Sequence, residues 1–343
     1  MQTGAYGRQD IRQIRAWNAW DEFLESKTTT GFRQSSWYTA FKSASGWEHF
    51  GTVFKDGANI VGGAMVLKRQ FSPKWCYYYI PDGPVFSDGD SESEREQIFN
   101  AVLQFVDQKR QSEPQSVSHL CINPRWQGVP SFVKGFRESE HYYGSPRDTQ
   151  CIDLTQSEDD MLRQMKPKGR YNIGVAHRHG VSVVEDTSAQ GIESFLELYE
   201  ETFSRKHRTA LSRRYFQKLI PLLSAPERGS IFFAEYRGER LATALVTYFG
   251  RTATYYHGGS RAVHRNVMAP YLLHFAIMRN AKSRGCHCYD LFGVTPQDEP
   301  SDGWSDISAF KRKFGGRELR LTPTLELIYN PVGYQEWKNL EEI

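Results

Sequence analysis

The sequence predicts an α+β fold built from two similar units. At 343 residues the chain is longer than a single hydrophobic core usually organises, which favours two domains. The spacing of apolar residues changes between that of helices and that of strands, and one order of elements (helix, helix, hairpin, strand, helix, strand) occurs twice. Two copies of this order indicate an internal duplication in which helices pack on a sheet in each copy.

The first copy begins with an amphipathic helix over residues 11–26, whose apolar side chains recur at every third position from Ile11 to Phe23. Asp56 and Gly57 form the predicted turn of its hairpin. The further elements predicted for this copy are a helix at 36–45, strands at 52–54, 60–67 and 75–80, a helix at 92–109 and a strand at 119–122.

The second copy repeats this order in the C-terminal half of the chain. Its hairpin is predicted to turn at residues 237–240. The elements predicted here are helices at 193–203 and 215–223, strands at 231–236, 241–249 and 252–257, a helix at 270–284 and a strand at 287–292.

Composition and charge are those of an ordinary globular protein, with 39% hydrophobic and 24% charged residues. Apolar runs are shorter than the roughly 18 residues that a membrane-spanning helix needs, and the start of the chain lacks the features of a secretory signal. We therefore expect a cytoplasmic protein. The net charge of +3 does not indicate a nucleic-acid partner by itself, but basic residues concentrate at 163–178, 205–214 and 311–320. These clusters could hold a phosphate backbone or form solvated helix faces.

The five cysteines do not predict a disulfide framework, because their number is odd and their spacing irregular. Cys286 and Cys288 flank His287, which raises the question of a metal site. A spacing of two suits a strand that carries both sulfurs on one face, and no second ligand pair lies nearby. We therefore predict no metal.

A series of ordered sequence blocks identifies the family that this chain resembles. The blocks lie at 79–85, 165–173, 255–260, 269–271, 289–293 and 310–316. In this order they resemble the FemABX family, whose members are aminoacyl-tRNA-dependent transferases that add amino acids to the peptide stem of peptidoglycan precursors. Several ordered blocks are more specific than any single short motif.

The resemblance implies two acetyltransferase-like (GNAT-like) domains, the first formed by 1–150 with 322–343 and the second by 151–321. Some relatives carry a helical coiled-coil arm in the second domain. Only residues 180–191 separate the block at 165–173 from the next predicted helix, so we expect no arm and a short FemX-like enzyme.

The resemblance also assigns roles in catalysis and donor binding. Lys311 matches the family's functional lysine and would stabilise the oxyanion and the leaving ribose oxygen of an attacked ester. Asp290 would either accept hydrogen bonds from the acceptor amine or orient Lys311. From residue patterns alone, a lysine on an amphipathic segment with core phenylalanines would be the simpler interpretation. The residues expected to bind aminoacyl-tRNA are Phe310, Tyr255, His257, Gly258 and Lys313.

Acceptor recognition is predicted from the diphosphate of a UDP-linked or lipid-linked muramyl peptide, which calls for Lys or Arg. The residues expected to bind it are Lys42, Arg205, Lys206, Tyr271 and Asn123. The chain departs from its relatives at Asn123, which stands where several have Asp, and at Thr39 and Leu211, which stand where a related enzyme has Lys and Arg. A lipid-linked acceptor would also bring the protein to the membrane surface.

Two other functions stay open at this stage. A CoA-dependent N-acyltransferase of envelope polysaccharide synthesis would need a glycine-containing pyrophosphate loop before a helix, and the nearest segment, 260–266, lacks the glycines. A non-catalytic protein that binds tRNA or the precursor would explain the departures from the family pattern, but not the retained Lys311. The leading prediction uses aminoacyl-tRNA and a peptidoglycan precursor, with no organic cofactor.

Overall fold

The computed structural model describes residues 7–10, 14–27, 31–141, 143–144, 146–224, 228–296 and 305–341. The chain forms two compact units, one from residues 1–147 with 320–343 and one from residues 148–319. The strands in chain order are β1 (Gly7–Asp10), β2 (Glu48–Asp56), β3 (Asn59–Gln70), β4 (Trp75–Pro81), β5 (Val85–Phe86), β6 (Ser116–Asn123), β7 (Arg137–Glu138), β8 (Asp148–Asp153), β9 (Ser182–Glu185), β10 (Gly229–Tyr236), β11 (Glu239–Phe249), β12 (Thr252–Ser260), β13 (Cys288–Gly293), β14 (Arg317–Arg320) and β15 (Leu325–Ile328). The helices are α1 (Ile14–Glu25), α2 (Ser36–Ala44), α3 (Glu92–Gln111), α4 (Glu158–Gln164), α5 (Pro167–Arg178), α6 (Ala189–Arg205), α7 (Arg213–Leu223), α8 (Ala269–Ser283), α9 (Ser305–Lys311) and α10 (Pro331–Glu341).

The first unit is built on a sheet with the strand order β1-β2-β3-β4-β6-β15-β7, and β5 pairs with β3. Its parallel pair, β4 and β6, extends from Trp75 opposite Ser116 to Pro81 opposite Asn123, with a register shift between Cys76 and Tyr78. Helix α3 begins with a capping box between Ser91 and Glu94 and buries one apolar face in the core of this unit. The C-terminal strand β15 runs antiparallel to β6.

The second unit has its own sheet, in the order β14-β8-β13-β12-β11-β10-β9. Its parallel pair, β12 and β13, is in register only from Thr252 opposite Cys288 to Thr254 opposite Asp290. Helices α5 and α8 pack against each other, and α8 also packs on β10 and β11. Helix α8 buries most of its residues, because its apolar side chains surround the helix on nearly every side.

The structure confirms the α+β class and the duplicated GNAT-like architecture that the sequence predicts. The predicted helices and hairpins recur with longer strands, and the first helix begins at Ile14 within the described residues. One local prediction is wrong: Cys288 begins β13, but Cys286 precedes the strand and donates its backbone N–H to Ala281 O. The turn at Gly285, whose φ is +81°, separates it from the strand.

Neither a metal cluster nor a membrane-spanning helix is found among the residues given above. No group of three or more His, Cys, Asp or Glu side chains in those ranges could hold a metal ion. Likewise, no described helix is both long enough and apolar enough to cross a bilayer.

Candidate active site

The central feature of the second unit is a gap between two neighbouring parallel strands. Pairing of β12 with β13 ends at Thr254 and Asp290, so the rest of each strand runs on without the other. At the same point the register of β13 with β8 shifts between Asp290 and Gly293. Phe292 there has a φ of +61°, a left-handed conformation that is costly for a bulky side chain. A bulge of this kind re-aims the strand at its end.

Lys311, the last residue of α9, extends its side chain to this gap. Its Nζ donates to the carbonyl oxygen of Gly293 at 2.6 Å and lies 5.8 Å from the centre of the Tyr255 ring. Gly293 belongs to β13 and Tyr255 to β12, so the ammonium group contacts both separating strands. The residue is only 4% exposed, and burial lowers the pKa of Lys311 to about 8 although Asp290 raises it. A buried lysine of this kind is a better proton donor than a solvated one.

Asp290 lies close enough to Lys311 to raise the pKa of its ammonium group. It is 1% exposed, and its Oδ1 accepts hydrogen bonds from the Thr149 hydroxyl and, at 2.7 Å, from Phe292 N. The second bond holds the left-handed turn, and the negative charge helps Lys311 to stay protonated. Both roles predicted for Asp290, contact with the acceptor amine and orientation of Lys311, stay predictions.

Aromatic side chains form the wall beside the lysine. Phe310 packs edge-on against Tyr271 and Phe314, with ring centres 5.1 and 5.2 Å apart. Tyr255 meets the His274 ring at 4.6 Å in a T-shaped arrangement. Phe310 is only partly buried, so it combines core packing with a face toward the site.

Lys313 links this wall to helix α5. Its Nζ donates to the Tyr271 hydroxyl at 3.0 Å, and its carbonyl oxygen accepts from Lys166 N at 3.1 Å. A Cβ on Gly169 would overlap that same carbonyl oxygen, so the helix requires glycine at this close approach. The blocks at 165–173, 255–260, 269–271, 289–293 and 310–316 therefore come together around Lys311.

His257 and Gly258 lie on β12 beyond the point where the strands separate. His257 contacts Tyr199, Tyr215 and Phe216 edge-on, and burial lowers its pKa to about 3. It is therefore a neutral member of an aromatic cluster. A Cβ on Gly258 would overlap the Tyr255 hydroxyl, which explains the glycine by packing. Their predicted contact with aminoacyl-tRNA stays a prediction.

The cations at the end of α6 lie near α9. Arg205 forms a 3.7 Å ion pair with Glu201, and its Nη1 has no hydrogen-bond partner within the described part of the chain. Burial, together with Arg208 and Arg205, lowers the pKa of Lys206, while Asp306 at the start of α9 raises it. This cluster is thus on the second unit, within electrostatic reach of the start of α9.

Lys42 and Asn123 belong to the first unit. Lys42 Nζ lies 4.1 Å from the centre of the Trp47 ring, and burial with the charges of Arg69 and Arg33 lowers its pKa to about 8. Asn123 is buried, donates to Thr324 Oγ1 at 2.8 Å and accepts from Arg33 at 3.3 Å. Both ends of the Asn123 amide are engaged inside the unit, and the predicted acceptor contacts of Lys42 and Asn123 stay predictions.

Sequence reasoning missed two residues of the site. His274 is buried on α8, accepts or donates a 2.8 Å hydrogen bond with the Tyr289 hydroxyl, and packs against Phe310. A histidine on an apolar helix face, one turn after Tyr271, was the available signal. Thr149 had no local signal, because it reaches Asp290 from a different strand.

Comparisons with known proteins agree with this geometry. Residues 167–311 match the model of a family described as an acetyltransferase (GNAT) domain. The chain is 19% identical to the lipid II:glycine glycyltransferase of Staphylococcus saprophyticus, over 94% of each protein, and 19% identical to that of Staphylococcus epidermidis, over 86% of this chain and 87% of the other.

Solved structures show the same fold. The crystal structure of FemX covers 96% of this chain and 99% of its own, with a TM-score of 0.84 and 17% identity. A tandem GNAT protein from the clavulanic acid biosynthesis pathway gives a TM-score of 0.54, 13% identity and coverage of 95% and 99%. The chain is thus similar over nearly its whole length to lipid II:glycine glycyltransferases and shares the fold of FemX.

Proposed function

We propose that the second unit transfers an aminoacyl group from aminoacyl-tRNA to an amine on the peptide stem of a peptidoglycan precursor. The observation that carries the proposal is the buried ammonium group of Lys311 at the gap between β12 and β13. Relatives over nearly the whole chain are named as lipid II:glycine glycyltransferases, which makes glycine the first amino acid to test and lipid II the first acceptor.

The reaction needs one cation at one place. The acceptor amine attacks the ester carbonyl, a C–N bond forms, and the negative charge passes first to the carbonyl oxygen and then to the departing ribose oxygen. The C–O bond to the ribose then breaks. Lys311 stabilises both charges and gives its proton to the ribose oxygen, and the proton that the attacking nitrogen loses restores the ammonium group of Lys311. Because its pKa is about 8, most of this side chain is protonated at neutral pH yet gives up its proton readily.

A CoA-dependent reaction is the second candidate, because the matched family is described as an acetyltransferase domain. The loop between β12 and α8 argues against it. His264 stands at the point where a pyrophosphate loop carries glycine, and Arg261 is within 3.5 Å of Glu239 and 4.0 Å of Glu201. An arginine beside two carboxylates is poorly placed to bind a diphosphate.

The proposal is tested by mass spectrometry of acceptors after incubation with the full chain. Lipid II and its UDP-linked precursor are each given total charged tRNA or, separately, acetyl-CoA. We expect a mass gain of one aminoacyl unit that ribonuclease treatment prevents. A gain with acetyl-CoA alone, or none with either donor, would contradict the proposal.

The matched variants are Lys311→Ala and Lys282→Ala. Lys282 also donates to backbone carbonyls, at 2.7 Å to Leu154 O and 2.8 Å to Gln156 O, but on another part of the unit. Lys311→Ala is expected to lower turnover by about a hundredfold or more, as for the loss of an oxyanion-stabilising donor. Lys282→Ala should keep most of the turnover, and equal losses would show that the effect is only structural.

A further inference from the structure

We propose that the exposed face of helix α5 is the surface on which the RNA donor docks, with its duplex stem lying along the helix. This inference rests on the proposed function, since it names where the charged tRNA is held. The surface is defined by Lys168, Tyr171 and Arg178 on one face of the helix and by Lys166 at its N-cap, all of which are exposed.

Charge is the first argument. Residues 161–184 contain five Lys or Arg side chains and no Asp or Glu. Arg163 is paired with Asp160 at 2.5 Å, and Arg170 is turned toward backbone carbonyls at the end of α4, among them Arg163 O at 3.1 Å. In the described ranges no ion pair engages Lys166, Lys168 or Arg178, and all three cations are exposed to solvent. Such a patch matches the charge of a phosphate backbone.

The second argument is an exposed aromatic ring. Tyr171 is 65% exposed, and the guanidinium group of Arg178 lies 5.7 Å from the centre of its ring. Gly174 lies between them, and a Cβ there would be 3.3 Å from Arg178 Nη1. The glycine therefore lets the arginine side chain run back along the helix to the ring. A flat ring with a cation beside it can pack against a ribose in the shallow minor groove of a duplex stem.

Position along the helix adds to this. At about 100° per residue, Lys168, Tyr171 and Arg178 fall within roughly a quarter of the helix circumference. The 12 residues of α5 extend about 18 Å, enough to follow several phosphates of a duplex stem. The stripe is therefore a line of contacts and not a single anion site.

The surface is also continuous with the active site. The N-terminus of α5 is held by the bond from Lys166 N to Lys313 O, and Lys313 is two residues from Lys311. RNA that follows the stripe would thus bring its 3′ end toward the gap between β12 and β13. A bilayer fits less well, since the exposed face of α5 offers Tyr171 but no Leu, Phe or Trp for insertion.

The experiment measures binding of uncharged tRNA to the full chain by fluorescence anisotropy at several salt concentrations. The double variant Lys168→Ala/Arg178→Ala is expected to lose at least about tenfold in affinity and to reduce the slope of log affinity against log salt by about 2. Tyr171→Ala should lose about tenfold more than Tyr171→Phe, which keeps the ring.

The matched control is Arg163→Ala/Arg279→Ala, which removes the same charge from two exposed arginines that are already paired with Asp160 and Glu158. Circular dichroism checks that each variant is folded. The inference is overturned if the control loses as much affinity as the α5 variant, or if the α5 variant binds like the wild type. It is also overturned if the variant loses binding to anionic vesicles but not to tRNA.

Failure of this inference and failure of the proposed function give different results. If wild type transfers an aminoacyl group and the α5 variant has an unchanged KM for charged tRNA, only the docking surface is wrong. If wild type neither binds tRNA nor uses it, both are wrong. The supporting result is a raised KM with an unchanged kcat in the α5 variant, while Lys311→Ala binds tRNA normally.

Discussion

The two units differ in how far their parallel strand pair stays hydrogen-bonded. In the first unit β4 and β6 stay paired up to Pro81 and Asn123, whereas in the second β12 and β13 part after three residue pairs. The open pair exposes backbone at a sheet interior, and a lysine side chain is placed there. The two copies of the fold thus differ in how their parallel strand pair ends.

The buried cations near the ends of the two strand pairs also differ, because one has a carboxylate partner and the other is bonded to a backbone carbonyl. In the first unit the Arg33 guanidinium contacts Asp82 at 2.5 Å, and Gln34 joins β3 to β4 by accepting from Met65 N at 2.7 Å and donating to Pro81 O. Burial by itself would lower the pKa of Arg33, but Asp82 raises it overall. Lys311 lacks a direct carboxylate partner in the described residues and is bonded to a carbonyl. A closed ion pair supports packing, while a lysine with a lowered pKa is ready to react.

The largest effect on stability is expected from breaking the buried ion pair between Arg33 and Asp82 in the first unit. Asp82→Ala leaves the buried Arg33 without its charge partner and should lower the free energy of unfolding by about 3–5 kcal/mol. Urea denaturation measures this change. Glu158→Ala, which breaks the exposed pair with Arg279, is the control and should cost under about 1 kcal/mol. Equal losses for the two variants would contradict the role given to the buried ion pair.

The next largest effect is expected from removing the charge of Asp290 in the second unit. Asp290→Asn keeps an oxygen for Phe292 N but removes the charge that raises the pKa of Lys311. Lys311 must be protonated to act, so turnover falls as pH rises through about 8, and in the variant this fall should move to lower pH. At neutral pH we expect turnover to drop by up to about tenfold, since each pKa unit is worth about 1.4 kcal/mol.

The pH dependence of single-turnover transfer tests this prediction. Asp306→Asn is the control, because it removes a carboxylate from the same helix at an exposed position. An Asp290→Asn profile that overlays the wild type would show that Asp290 does not act on Lys311 through charge.

A smaller effect is expected from removing the hydrogen bond between Lys313 and Tyr271 in the second unit. Tyr271→Phe removes the hydroxyl that accepts from Lys313 but keeps the ring against Phe310. Losing one such bond should raise the KM for charged tRNA by roughly tenfold or less, with kcat little changed. Tyr248→Phe, which loses a 3.0 Å bond to Asn280 instead, should leave KM unchanged. A fall in kcat without a change in KM would instead place the Tyr271 hydroxyl in the chemical step.

The sequence predicted the helices and strands better than it predicted the gap between β12 and β13. Hairpins could be predicted because alternation and turn residues are local signals, as at Asp56 and Gly57. Helix α5 was not predicted, since Pro167, Gly169 and Gly174 obscure its period. The separation of β12 from β13 depends on a left-handed Phe292 held by Asp290, a pairing that appears only once the strand has formed.

Some residues of the candidate site were predicted from the sequence and others were missed. Lys311 was predicted by resemblance, and the structure adds why it could not have been derived from pattern. Its lowered pKa comes from burial produced by residues far apart in the chain, including Tyr255 and Gly293. His274 was missed because a histidine on an apolar face is usually a packed core residue, which it also is here.

The smallest effect is expected for His257, which the sequence assigned to donor binding. Burial lowers its pKa from 6.5 to about 3, so the folded protein does not protonate it where the unfolded chain does. Its share of stability is therefore complete above about pH 6.5 and is lost as pH falls toward 3. His257→Phe fits the same aromatic cluster and should make that acid-induced loss shallower. At pH 7 the free energy of unfolding should change by under about 1.5 kcal/mol, the range of isosteric core exchanges.

Urea denaturation at pH 7 and pH 5 measures the difference, with the exposed His177→Gln as the control. Transfer by His257→Phe should have the same pH profile as wild type, since a side chain that is already neutral cannot contribute a titration above pH 5. A shifted profile would mean that His257 is charged when the donor is bound. In that case the second unit would hold a second cation, on β12, in addition to Lys311 at the gap between β12 and β13. The difference in charge between the two units would then include His257 as well as Lys311.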